Sequence, residues 1–149
     1  MDLYQELIIE HAKRPHRAGL REPFDAEVHH VNPTCGDEVT LRVARDGEVL
    51  SDISYDSLGC SISVASASML ADLLTGQDVD TARTTFAAVH AMLTSKGADA
   101  GDEEVIGDAV ALAGVAKFPA RVKCALLSWM ALADALATTG ANLSEESHV

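Results

Sequence analysis

Three thiols are available in this chain of 149 residues: Cys35, Cys60 and Cys124. The first lies in Asn32-Pro33-Thr34-Cys35-Gly36-Asp37, where a proline-led turn precedes a thiol and a carboxylate set two residues apart around a glycine. The second follows a glycine in Ser57-Leu58-Gly59-Cys60-Ser61, and the third ends Phe118-Pro119-Ala120-Arg121-Val122-Lys123-Cys124. Zinc in proteins is usually tetrahedral and takes Cys thiolate, His nitrogen or carboxylate oxygen. Cys35, Asp37, Cys60 and Cys124 would fill four positions, and Gly36 lets the first two side chains converge on one ion. The spacing is not the CxxC pairing of zinc ribbons and fingers. It leaves open that the cysteines are inert core residues and that Asp37 is a turn residue or cap.

A closed structural site would leave a metal inert, whereas thiol exchange and persulfide transfer need an accessible thiolate. Cys35, on a turn beside Gly36, is the best candidate nucleophile. Cys60 and Cys124 each fall near a helix start, where the dipole favours a thiolate that stays in place. Arg121 precedes Cys124 by three residues and so lies on nearly the same helical face. It could stabilise a freed thiolate or pair with Asp37, and an ordinary surface arginine fits equally well. Lys123 points elsewhere. His29 and His30 are adjacent on a strand, so they face opposite sides and cannot share one metal.

The elements that carry these residues follow from periodicity. Asp2 caps a helix running to Arg14, with Leu3, Leu7, Ile8 and a packed His11 on one side and Pro15 beyond its end. Gly19 to Asp25 reads as loop. Glu27 to Val31 is a strand; Val39, Leu41 and Val43 alternate with polar residues as a second; Val49 to Leu58 is a third, entered through the Asp46-Gly47 turn. Beyond Gly59 the period becomes helical: Ile62, Ala65, Met69, Leu70 and Leu73 recur until Gly76. Further helices are predicted over Val79–Leu93, around Val105–Ala113 after a glycine- and acid-rich loop, and from Pro119 through Thr138 before Gly140. Cys124, Leu127, Ala131 and Ala135 share a face of the last helix, and Trp129 reads as core. The expectation is α+β: a small three-stranded antiparallel sheet packed against about five helices.

With 48% apolar residues the chain can bury a core as one domain, predicted over 1–143, with 144–149 an acidic disordered tail. The formal charge of −12, with eleven scattered basic residues, argues against a nucleic-acid partner. No apolar run is long enough for a membrane span. The start, Met1 to Glu6, lacks a basic region followed by an apolar run, which predicts no secretory signal and a cytoplasmic location. In a reducing compartment, an odd cysteine count makes a disulfide framework a poor reading.

Three segments, Pro33-Thr34-Cys35-Gly36-Asp37, Leu58-Gly59-Cys60-Ser61-Ile62-Ser63 and Phe118 to Cys124, resemble the cysteine motifs of the IscU/NifU N-terminal family of iron–sulfur assembly proteins. The resemblance covers almost the whole chain. It is nearest to the SufU branch of the SUF system, because Lys123 stands where the housekeeping scaffold has a histidine. Phe118 to Lys123 also replaces that scaffold's Leu-Pro-Pro-Val-Lys chaperone motif, and the interval from Cys60 to Cys124 is lengthened around Thr94 to Glu104. The resemblance implies a zinc protein with Cys35, Asp37, Cys60 and Cys124 as ligands. Cys35 would take persulfide sulfur from a SufS-like cysteine desulfurase, a pyridoxal-phosphate enzyme, for downstream SUF scaffold proteins. It also implies that a histidine of the desulfurase replaces Cys35 on zinc while Asp37 is released toward Arg121. A scaffold holding iron or a [2Fe–2S] cluster on the same ligands is the alternative. A structural zinc module that binds a protein partner is a third.

Overall fold

The computed structural model describes residues 3–34, 36–141 and 143. Asp2, Cys35 and the 144–149 segment, which carry the predicted cap, acceptor thiol and acidic tail, lie outside them. The order is α1 (Leu3–Lys13), β1 (Ala26–Asn32), β2 (Asp37–Asp46), β3 (Val49–Leu58), α2 (Ser61–Leu74), α3 (Val79–Leu93), α4 (Glu103–Ile106), a 3₁₀ stretch (Gly107–Lys117) and α5 (Pro119–Thr138). The architecture is α+β, as the periodicity predicts.

The sheet is an antiparallel meander in the order β1-β2-β3. Leu41 lies opposite both Val28 and Tyr55, and the register shifts at Ala44/Arg45. Val39, Leu41 and Val43 are buried beneath the helices. The intervening residues form an outer polar face, where Arg42 donates to Glu27 (2.7 Å) and His29 meets Glu38 (3.1 Å) and Thr40 (2.9 Å). His30 turns the other way and reaches Asp134 of α5 at 2.9 Å. The two histidines therefore do face opposite sides. The tight turn needs Gly47, whose φ is +62°.

Helix α2 is the axis of the helical layer, packed against α1, α5, β3 and the 3₁₀ stretch. Its predicted apolar stripe is only part of what it buries, for Ser63, Ser66 and Ser68 are buried as well. Each finds a partner, as a buried hydroxyl must. Ser66 donates to the Ala125 carbonyl (2.6 Å) and accepts from the fully buried Trp129 Nε1 (3.0 Å). Ser68 shares a hydrogen bond with His11 Nδ1 (2.7 Å) and accepts from the His16 amide (2.7 Å). His11 Nε2 reaches Asp108 at 3.0 Å, so this histidine is the packed one the sequence predicts.

Two expectations are corrected. Leu3 is 66% exposed rather than packed. The helix predicted around Val105–Ala113 is instead one α-turn followed by eleven residues of 3₁₀ geometry. Gly107, at φ +52°, ends the α-helical hydrogen-bond pattern there. The small residues that follow, Ala109, Ala111 and Ala116 among them, are buried without forming a single stripe.

Candidate metal centre

Asp37 opens β2, Cys60 is the N-cap of α2, and Cys124 sits in the second turn of α5. Three separate elements thus end at one point. One carboxylate oxygen of Asp37 and the Sγ atoms of Cys60 and Cys124 all lie within 4.8 Å of one another. Among the described residues no other three His, Cys, Asp or Glu side chains come so close. Cys60 is exposed, whereas Asp37 and Cys124 are buried.

The local fold aims these groups. Asp37 Oδ1 accepts the Cys60 amide at 3.0 Å, so a strand carboxylate occupies the positive end of α2. Asp37 Oδ2 is 3.3 Å from Cys60 Sγ and accepts from Ser63 Oγ at 2.5 Å. Cys124 Sγ lies 3.6 Å from the Ala120 carbonyl. Gly59 has φ +145°, and a Cβ on it would overlap the Asp37 carboxylate, so glycine is needed there for space and for backbone conformation.

The donor set fits zinc. Metal–ligand distances of about 2.3 Å for sulfur and 2.0 Å for oxygen put ligand atoms about 3.5–3.8 Å apart across a tetrahedron. The 3.3 Å Cys60–Asp37 edge is already close to that, slightly on the short side. Three donors leave a fourth position. Cys35, the predicted fourth ligand, lies outside the described residues, but the residues around it are held. Asn32 Oδ1 accepts the Thr34 amide (3.2 Å), and the Asn32 carbonyl accepts the Gly36 amide (2.8 Å).

Arg121 is exposed and lines the same cleft as Cys60 and Cys124. Its guanidinium lies 6.0 Å from the Phe118 ring centre. The cleft has a volume of about 860 Å3, and its walls include Tyr4, Ile8 and Ile9 of α1, Ile62 of α2, and Val115 and Phe118. Lys123 is exposed, as predicted.

Sequence reasoning missed Ser63 and Gly59 as parts of the site. Both flank Cys60, and the spacing of Ser63 three residues along α2 was a usable signal. What gave no signal is their common partner, Asp37, more than twenty residues earlier in the chain.

Residues 3–125 match the family model of the NifU-like N-terminal domain. The chain belongs to that family. Among NifU-like relatives it is 41% identical over 136 residues to the zinc-dependent sulfurtransferase SufU of Bacillus subtilis, a match covering 91% of this chain and 90% of that protein. It is 39% identical to the iron–sulfur cluster assembly scaffold protein IscU of Streptococcus pyogenes, over 90% of this chain and 82% of that one. A crystal structure from Fervidobacterium islandicum, described as an iron–sulfur cluster assembly scaffold for the SUF system, superposes with a TM-score of 0.80. It has 31% identity and covers 88% of this chain and 94% of that one. Among the described residues, no helix is long and apolar enough to cross a membrane.

Proposed function

We propose that this protein works in iron–sulfur cluster assembly as a zinc-bound sulfur acceptor. In this reading Cys35 takes sulfur from a cysteine desulfurase of the SufS type and passes it to a downstream SUF scaffold in the cytoplasm. The observation that carries this reading is the convergence of Asp37, Cys60 and Cys124 within 4.8 Å at a cleft open to solvent. The similarity to the sulfurtransferase SufU supports it.

Cys35, Asp37, Cys60 and Cys124 would hold zinc, which supplies a positive centre that keeps thiols deprotonated and shielded from oxidation. The rest follows from the chain's own residues. Cys60 and Cys124, anchored at the starts of α2 and α5, are the fixed donors. Asp37 is pinned by the Cys60 amide and Ser63, so its carboxylate keeps partners whether or not it binds the ion. The Cys35 thiolate attacks the outer sulfur of the partner's persulfide; the old S–S bond breaks and the partner leaves as a thiolate. Two sulfurs exchange one bond for another, with no net oxidation. Arg121 lines the cleft, and in this reading it offsets negative charge during the exchange.

Desulfurase stimulation by wild type and by Cys35→Ala, with metal content measured on the same preparations, tests this. Bound zinc in the wild type, with stimulation lost in the variant, is expected. A second reading, assembly of a [2Fe–2S] cluster on the same ligands, is favoured by the 39% identity to a scaffold IscU. Bound iron with a visible chromophore, and stimulation indifferent to Cys35, would select it.

A further inference from the structure

We infer that Ser63 is a positioning residue for the metal centre, one that fixes how firmly Asp37 serves as a ligand. The inference rests on the zinc-site reading above and goes beyond it, because Ser63 cannot itself be counted among the ligands. Ser63 is buried, only 2% exposed, and sits one helical turn after Cys60. A serine inside a helix usually returns its proton to a carbonyl one turn back on its own helix. Ser63 does otherwise: Oγ donates to Asp37 Oδ2 at 2.5 Å and lies 3.3 Å from the Cys124 carbonyl and 3.8 Å from Cys60 Sγ. One side chain thus touches all three described members of the site.

The oxygen it holds is the one that faces the sulfur, since Oδ2 lies 3.3 Å from Cys60 Sγ while Oδ1 is taken by the Cys60 amide. The amide fixes one oxygen and the hydroxyl fixes the other, so the carboxylate plane has no freedom to turn. Outer-shell partners of this kind orient a ligand and typically govern metal affinity by about 10–100-fold. With Ser63 removed, Oδ2 loses its aim and the centre loses its oxygen donor while the thiolates remain.

The test is Co(II) and Zn(II) affinity of the full chain by competition with a chromogenic chelator, on wild type, Ser63→Ala, Asp37→Ala and the double variant. Ser63→Ala is expected to weaken binding by about 10–100-fold, to keep the thiolate-to-cobalt charge-transfer band, and to move the ligand-field bands to those of Asp37→Ala. In the Asp37→Ala background the same change is expected to have no further effect, because the oxygen it aims is already gone. A purely structural role would lower affinity equally in both backgrounds, and that result would overturn the inference. Ser63→Thr and Ser63→Val, alike in shape and differing in the hydroxyl, repeat the comparison where alanine disturbs the fold; equal affinities would also overturn it. If wild type and Asp37→Ala bind equally, the ligand set behind the proposed function fails. If they differ and Ser63→Ala matches wild type, only the role of Ser63 fails.

Discussion

The N-terminal end and the middle of α2 hold superficially similar polar clusters and use them in opposite ways. In the middle, Ser68, His11 and Asp108 are strung together at 2.7 and 3.0 Å, an order of groups that resembles a serine nucleophile with its base and orienting acid. Yet Ser68 is fully buried, and both ring nitrogens of His11 are occupied. Every group there has a partner and none of the three lines the cleft beside Cys60, so the cluster is a strut joining α1, α2 and the 3₁₀ stretch. At the N-terminal end, two sulfurs and a carboxylate crowd together, and one of the sulfurs is exposed beside a large cleft. Residue types alone do not separate the two; access to the cleft and the gathering of metal-ligating atoms do.

The contrast can be broken from either side. The largest effect is expected from Cys60→Ser or Cys124→Ser. Either removes a direct donor and is expected to reduce zinc affinity by more than the 10–100-fold typical of outer-shell losses, with secondary structure retained by circular dichroism. A variant that still holds zinc as tightly would remove that residue from the site. Next comes His11→Ala, which leaves the buried Ser68 hydroxyl short of a partner. It should cost about 1–3 kcal/mol in urea unfolding without changing zinc affinity. A change in metal binding instead would mean the two clusters are coupled.

The smallest effect concerns Tyr55, whose hydroxyl donates to the His16 carbonyl at 2.6 Å beside the strut. Burial is the main cause pushing its phenol from the ordinary value near 10 up to about 12. The fold favours the neutral form, so this contribution to stability is complete below pH 10 and is lost as pH rises toward 12. Tyr55→Phe should lack that alkaline component, seen as a flatter dependence of the urea midpoint on pH above 10.

Much of the frame is legible in the residues themselves. The alternation at Val39, Leu41 and Val43, the helical recurrence that ends before Gly76, and Pro119 at the start of α5 are local signals with local causes, and the elements follow them. The three convergent donors are legible too, because thiols are rare in the chain and each falls at an element boundary. The serines of α2 are not, since a buried serine looks like a surface one until its partner from elsewhere is known. Gly59 reads as punctuation between strand and helix; that it also makes room for Asp37 depends on a contact made only in three dimensions. The 3₁₀ stretch hid behind small residues whose helical period is weak.

The central claim is that sulfur arrives on Cys35 of a zinc-bound chain. The most direct measurement is peptide mass spectrometry, without reductant, of the zinc-loaded protein after incubation with a SufS-type desulfurase and cysteine. The account predicts one added sulfur atom on the peptide containing Cys35 and none on those containing Cys60 or Cys124. Sulfur on Cys60 or Cys124, or on no cysteine of a fully zinc-loaded chain, would contradict it.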